Sequence, residues 1–173
     1  EPITIGSYMN EPDVMNNRYQ LHLAMRDAAT YLPALFSEYE KLSGRKYGMI
    51  EGYRYDDAEV VLVMLGSSYH TAKDAIDKLR ETDMRIGVVA LTSLRPFPKT
   101  LINFFPAART IIILDRQDSY GAEGGNLSLE VRADFYRKIH ARILTRVYGL
   151  GGKDLFVDDI LEIVKECMHP RSP

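Results

Sequence analysis

The sequence predicts an α/β fold, a parallel sheet with helices packed on both faces. Residues 58–65 (AEVVLVML), 85–91 (RIGVVAL) and 110–114 (TIIIL) are apolar runs rich in β-branched residues. They show no polar alternation, the pattern of strands buried on both faces. Segments of helical period lie between or after them. A strand–helix–strand order requires crossover connections and hence parallel neighbours.

The elements follow in chain order. Residues 1–44 read as an arm with one or two helices, and residues 45–173 as the α/β domain. Glu11-Pro12-Asp13 is a helix start signal, with a proline early and an acid in the first turn. Leu21, Met25, Ala28, Leu32, Leu35, Tyr39 and Leu42 then recur three and four apart, an amphipathic stripe. Pro33 removes a backbone donor within it, so a kink or a junction of two helices is expected there. Ser43-Gly44 supplies the stop. Residues 48–53 form a weak strand candidate. Ala72, Ala75, Ile76 and Leu79 mark a helix over 71–80, and the prolines at 96 and 98 introduce a short helix over 99–105. Leu127, Val131 and Phe135 mark another helix, and residues 141–148 look strand-like. A last helix carries Val157, Ile160, Leu161, Val164 and Cys167, with Asp158 or Asp159 as its cap and Pro170 as its stop. Val61, Val63, Val88, Ile112 and Ile113 are predicted core residues.

Composition narrows the function classes. The chain has 173 residues, 22 Lys plus Arg against 24 Asp plus Glu, and a formal net charge of −2. That balance supplies no positive field for nucleic acid. The apolar runs fall well short of the roughly 20 residues that span a bilayer, so no membrane partner is expected. Cys167 is the single cysteine, which excludes internal disulfides, zinc clusters and iron–sulfur clusters, and suggests a cytoplasmic location. Glu1 stands where an initiator methionine would be, so the chain is expected to be processed or to belong to a longer polypeptide.

In sheets of this kind, ligands and partners meet the carboxyl edge of the strands. The turn residues of this sequence cluster there, at 66–68 (GSS), 92–98 (TSLRPFP), 115–125 (DRQDSYGAEGG) and 149–154 (GLGGKD). The first admits two readings, a tight turn with a helix cap or a backbone anion site. The third is a shaped contact loop for a ligand or another domain, or else a turn with a local Asp115–Arg116 ion pair. Arg132, Arg137, Lys138, Arg142 and Arg146 make a basic stretch that reads best as a solvated face. The histidines at 22, 70, 140 and 169 lack ligand spacing, and His70 reads as a cap or core-edge residue. No nucleophile elbow and no acid–base pair is evident, so no catalytic or metal residue is assigned.

Four passages, "AEVVLVMLGSS…TAKDAIDKL", "RIGVVALTSLRPFP", "IIILDRQDSYGAEGGNLSLEV" and "VYGLGGKDL", resemble the transketolase C-terminal-like domain of 2-oxoacid:ferredoxin oxidoreductases, pyruvate:ferredoxin oxidoreductase above all. "EPITIG" and "SGRKYGMIEGYR" resemble its upstream connector. The resemblance implies three layers around a mostly parallel five-stranded sheet, with the strand near 49–53 antiparallel at one edge. It also implies a non-catalytic assembly domain, inactive alone and part of an oligomer. Arg95, Pro96, Asp115, Arg116, Ser119, Tyr120, Gly121, Glu123, Gly124 and Gly125 would then border other domains or subunits. Thiamine diphosphate, iron–sulfur clusters and coenzyme A are expected elsewhere in the complete enzyme, which would pass electrons to ferredoxin; none is expected on this chain. A stand-alone ligand-binding or regulatory module, and a transketolase or dehydrogenase proper, are the competing readings.

Overall fold

The structure is a computed structural model that describes residue 6 and residues 8–169. Of the connector motif at 1–6 only Gly6 is therefore described, and the expected stop at Pro170 lies outside the described residues. The chain divides into two compact units, Glu1–Lys46 and Tyr47–Pro173.

In the first unit, α1 runs over Asp13–Ser43, directly after Pro12. It is one helix through Pro33, so the two helices that were one expectation there do not form. The ring removes one backbone donor from a helix of 31 residues. Gly44 ends the helix in the left-handed conformation (φ 68°), and its N–H donates to the Glu40 carbonyl at 2.8 Å. Only glycine adopts that turn without a side-chain penalty.

The second unit is a sheet of β1 (Ile50–Tyr53), β2 (Val60–Leu65), β3 (Ile86–Leu91), β4 (Thr110–Asp115) and β5 (Arg142–Val147), in the order β1-β3-β2-β4-β5. β1 is antiparallel to β3, with Ile50 opposite Leu91, and every other pairing is parallel. The helices are α2 (Ser68–Arg80), α3 (Asn126–Phe135) and α4 (Val157–Met168). Two cores result from the strand pleat. Val60, Leu62, Met64, Val88 and Ile112 pack beneath Ala72 and Ile76 of α2 and Ile160, Val164 and Cys167 of α4. Val61, Val63, Val89 and Ile113 pack beneath Leu127, Val131 and Phe135 of α3, with Leu101 and Phe105 beside them. The five predicted core residues are all fully buried. This is the predicted three-layer α/β sheet.

Two local expectations change. The helix expected over 99–105 shrinks to one 3₁₀ turn, Leu101–Phe104, because Pro98 and Pro106 leave it no room to propagate. At α4 neither acid stands before the helix. Asp159 lies inside the first turn and reaches back, accepting from the Phe156 N–H at 2.8 Å.

Candidate functional site

The carboxyl ends of β2, β3, β4 and β5 bring three of the turn-rich segments into contact around Tyr148. Its N–H donates to the Asp115 carbonyl at 3.0 Å, and its hydroxyl to Ser68 Oγ at 3.1 Å. Arg116, leaving β4, donates through Nε to the Gly149 carbonyl at 3.1 Å. Two adjoining clefts share Ser67, Ser68, Arg116 and Tyr148. One extends to Leu94 and Asn126, the other to Lys153, Asp154 and Phe156. The sequence reading missed Tyr148 and Lys153 as neighbours of Arg116; the signal was the glycine after Tyr148, which marks where β5 stops.

Gly66 turns the chain in the left-handed region (φ 73°), and Ser67 follows as the residue before α2. Ser67 makes no side-chain cap bond, so the turn is present and the expected hydroxyl cap is not. The first-turn N–H groups of Tyr69 and His70 return to the carbonyls of Gly66 and Ser67 instead. His70 is exposed, its ring tilted against Tyr69.

The 115–125 loop is closed at its base and open at its tip. Asp115 does not pair with Arg116 in the way the local ion-pair reading required. Its carboxylate is buried and accepts from the Ser128 N–H at 3.1 Å. Gly125 precedes α3 and has no side chain to cap it, so Asp115 supplies the acceptor from ten residues upstream. The room for that carboxylate exists only because residue 125 is glycine: a Cβ there would lie 2.7 Å from Asp115 Oδ2 and 2.5 Å from the Gln117 carbonyl. Gly124, at φ 111°, would bring a Cβ within 2.5 Å of the Thr145 methyl. Asp115, Gly124 and Gly125, expected to face a partner, are therefore buried parts of this fold. Tyr120, Gly121 and Glu123 are exposed at the tip, and Ser119 holds the turn by accepting from the Ala122 N–H at 2.8 Å.

Arg95 is exposed and pairs with Glu130 of α3. Pro96 follows a cis peptide, and its carbonyl accepts from Ser93 Oγ at 3.0 Å. The basic stretch does structural work in part. Arg132 reaches the Ile143 carbonyl at 3.1 Å, and Lys138 and Lys99 neutralise the buried Asp134 at 3.0 and 3.4 Å. Cys167 is buried under α4's side of the sheet, and desolvation pushes its thiol up from the ordinary range. Among the described residues no three or more His, Cys, Asp or Glu side chains are grouped to hold a metal ion, and no helix is long and apolar enough to cross a membrane.

Residues 58–160 match the family model of pyruvate:ferredoxin oxidoreductase core domain II. The pyruvate synthase subunit PorA of Methanosarcina barkeri is 34% identical over 169 residues, which are 96% of this chain and 42% of that protein. PorA of Pyrococcus abyssi is 33% identical, covering 97% of this chain and 44% of its own length. The ketoisovalerate oxidoreductase subunit VorA of Pyrococcus furiosus is 33% identical, covering 96% and 43%. The chain thus spans less than half the length of the curated relatives it matches. A 2-oxoglutarate:ferredoxin oxidoreductase from Magnetococcus marinus, solved with 2-oxoglutarate, coenzyme A and succinyl-CoA, superposes on 74% of this chain and 21% of its own, with a TM-score of 0.54 and 22% identity; that likeness shows the fold. With a match over more than half its residues, this chain belongs to the pyruvate:ferredoxin oxidoreductase core domain II family.

Proposed function

We propose that this chain is a non-catalytic assembly domain of a cytoplasmic 2-oxoacid:ferredoxin oxidoreductase, docking to the enzyme's other domains or subunits through the carboxyl edge of its sheet. The whole enzyme, on this reading, oxidatively decarboxylates pyruvate or a related 2-oxoacid to an acyl-coenzyme A and passes the electrons to ferredoxin. The relatives named as PorA and VorA subunits support the enzyme class.

One observation carries the docking surface: a loop whose base is locked holds a large aromatic out in solvent. Asp115, Gly124 and Gly125 fix the base, while Tyr120 at the tip is 93% exposed. A loop whose backbone is fixed at its base loses less conformational freedom on docking than a free one, and tyrosines are enriched among residues that dominate interfaces. Arg95 and the exposed Glu123 add charge on the same edge of the domain.

Thiamine diphosphate, iron–sulfur clusters and coenzyme A belong to other parts of the enzyme on this reading. What supports this is that the single thiol, Cys167, is buried, and that among the described residues no three His, Cys, Asp or Glu side chains are grouped to hold a metal ion.

The test pairs two measurements on Tyr120→Ala. The isolated chain should keep its melting temperature, because an exposed side chain away from caps and cores contributes within about 0.5 kcal/mol. Assembly with the remaining subunits should weaken by about 2 kcal/mol, the scale of an interface hot spot, and 2-oxoacid-dependent ferredoxin reduction should fall with it. Unchanged assembly and activity would remove the loop tip from the interface.

A further inference from the structure

Helix α1 carries an apolar stripe that its own unit leaves uncovered. Leu21, Leu35 and Leu42 are 49%, 55% and 87% exposed, and Met25, Ala28 and Leu32 are no more than partly covered. None of the helix's 31 residues is buried. Most helical stability in proteins comes from packing an apolar face, and Pro33 makes this helix more dependent on it than most. Something of substantial size must cover the stripe.

The comparisons indicate what. The match to core domain II begins at residue 58, after α1 has ended. The matches to PorA subunits take in 96% to 98% of the chain and so include α1. Those subunits are more than twice as long as the matched region. The helix thus falls in a compact unit apart from the sheet, within a stretch that PorA subunits share and extend well beyond.

We propose that the α1 stripe is the docking face for the remaining part of a PorA-type subunit, the portion beyond the stretch that this chain matches. The occupant is a folded domain with an apolar groove that accepts Leu21, Met25, Leu32 and Leu35. This inference rests on the family match and not on docking at the sheet edge, so an innocent Tyr120 leaves it standing.

The test is hydrogen–deuterium exchange across residues 21–42, in the 173-residue chain and in the assembled oxidoreductase, with Leu35→Glu as a companion variant. Assembly should slow exchange in α1 at least about a hundredfold, since a docked helix opens far more rarely than an exposed one. Leu35→Glu should cut recovery of the chain in the assembled enzyme about tenfold, while the α/β unit of the variant chain melts as the parent does. Equal exchange in both states overturns the proposal. A 173-residue chain that sediments as a dimer with α1 protected also overturns it, because a second copy then covers the stripe. So does a lower melting temperature of the α/β unit in Leu35→Glu, because that unit would then be the cover.

Discussion

At the level of single residues, the 115–125 loop separates groups that build the fold from groups left for a partner. Read as a sequence, its glycines suggest close approach by another surface. In the structure the close approach is internal: Gly124 abuts Thr145 and Ser128, and Gly125 makes room for the Asp115 carboxylate. A side chain at 124 would need both a left-handed backbone and the displacement of buried atoms. Gly124→Ala should therefore destabilise the isolated chain by about 1–3 kcal/mol, measured by denaturant unfolding. Asp115→Ala should cost about 1–2 kcal/mol, because it leaves the Ser128 N–H without its acceptor at a helix start. Asp115→Asn retains an oxygen acceptor and should cost less. An Asp115→Ala chain as stable as the parent would show that α3 needs no cap from β4. Arg116, exposed and bonded to one carbonyl, should cost under about 1 kcal/mol when replaced by Ala.

Among the elements, β2, β3 and β4 were legible because both faces of each are buried, which leaves an uninterrupted apolar run. Tyr120, Gly121 and Glu123 lie exposed at the loop tip, as polar and aromatic residues between glycines can without a partner from elsewhere in the chain. What escaped depends on distant neighbours: that Asp115 caps α3, and that Tyr148 meets Ser68, cannot be inferred from local spacing. Arg80 at the end of α2 is another such case. It donates to the carbonyls of Ile86 and Arg54, each at 2.7 Å, and pairs with Asp57 at 2.6 Å. One guanidinium so ties α2 to the start of β3 and to the β1–β2 connection, and its side chain is only 17% exposed. Arg80→Ala should destabilise the chain by about 1–3 kcal/mol, and Arg80→Lys should recover little of that, because an ammonium cannot reproduce the planar fork. The Arg80 hydrogen bond, aided by its charge, holds the Asp57 carboxyl below the ordinary aspartate value. A depressed folded-state value means that the unfolded chain binds the proton first as pH falls. The stabilisation is therefore complete above the ordinary aspartate range and is lost as pH drops through the folded value. Asp57→Asn should flatten the acid limb of stability against pH, and an acid limb identical to the parent's would show that the pair contributes nothing to it.

For the whole molecule, the question is whether the two faces of the sheet fail together. Cys167 reports on one of them. It is 1% exposed among the core residues of α2, α4 and the strands, so a thiol reagent meets it only after the structure opens. Desolvation also raises its thiol above the ordinary value, which lowers the thiolate fraction further. The sign is opposite to that of Asp57. A raised folded-state value gives stability that is present below the ordinary thiol range and is lost as pH climbs through the folded value. At neutral pH, modification should run at least about a thousandfold slower than for an unfolded thiol, as expected for a domain with several kcal/mol of stability. Two truncations then discriminate. Ile112 lies in the same core as Cys167, and Ile112→Ala should cost about 2–5 kcal/mol. Val63 lies in the opposite core, beneath α3, and Val63→Ala should cost about 1–3 kcal/mol. The central strands feed side chains to both faces in alternation, so neither core can be lost while the sheet survives intact. Both variants should accordingly speed modification of Cys167, by about tenfold for each 1.4 kcal/mol lost. If Ile112→Ala accelerates the reaction and Val63→Ala does not, α4 lifts off alone, and the three layers are not one cooperative unit.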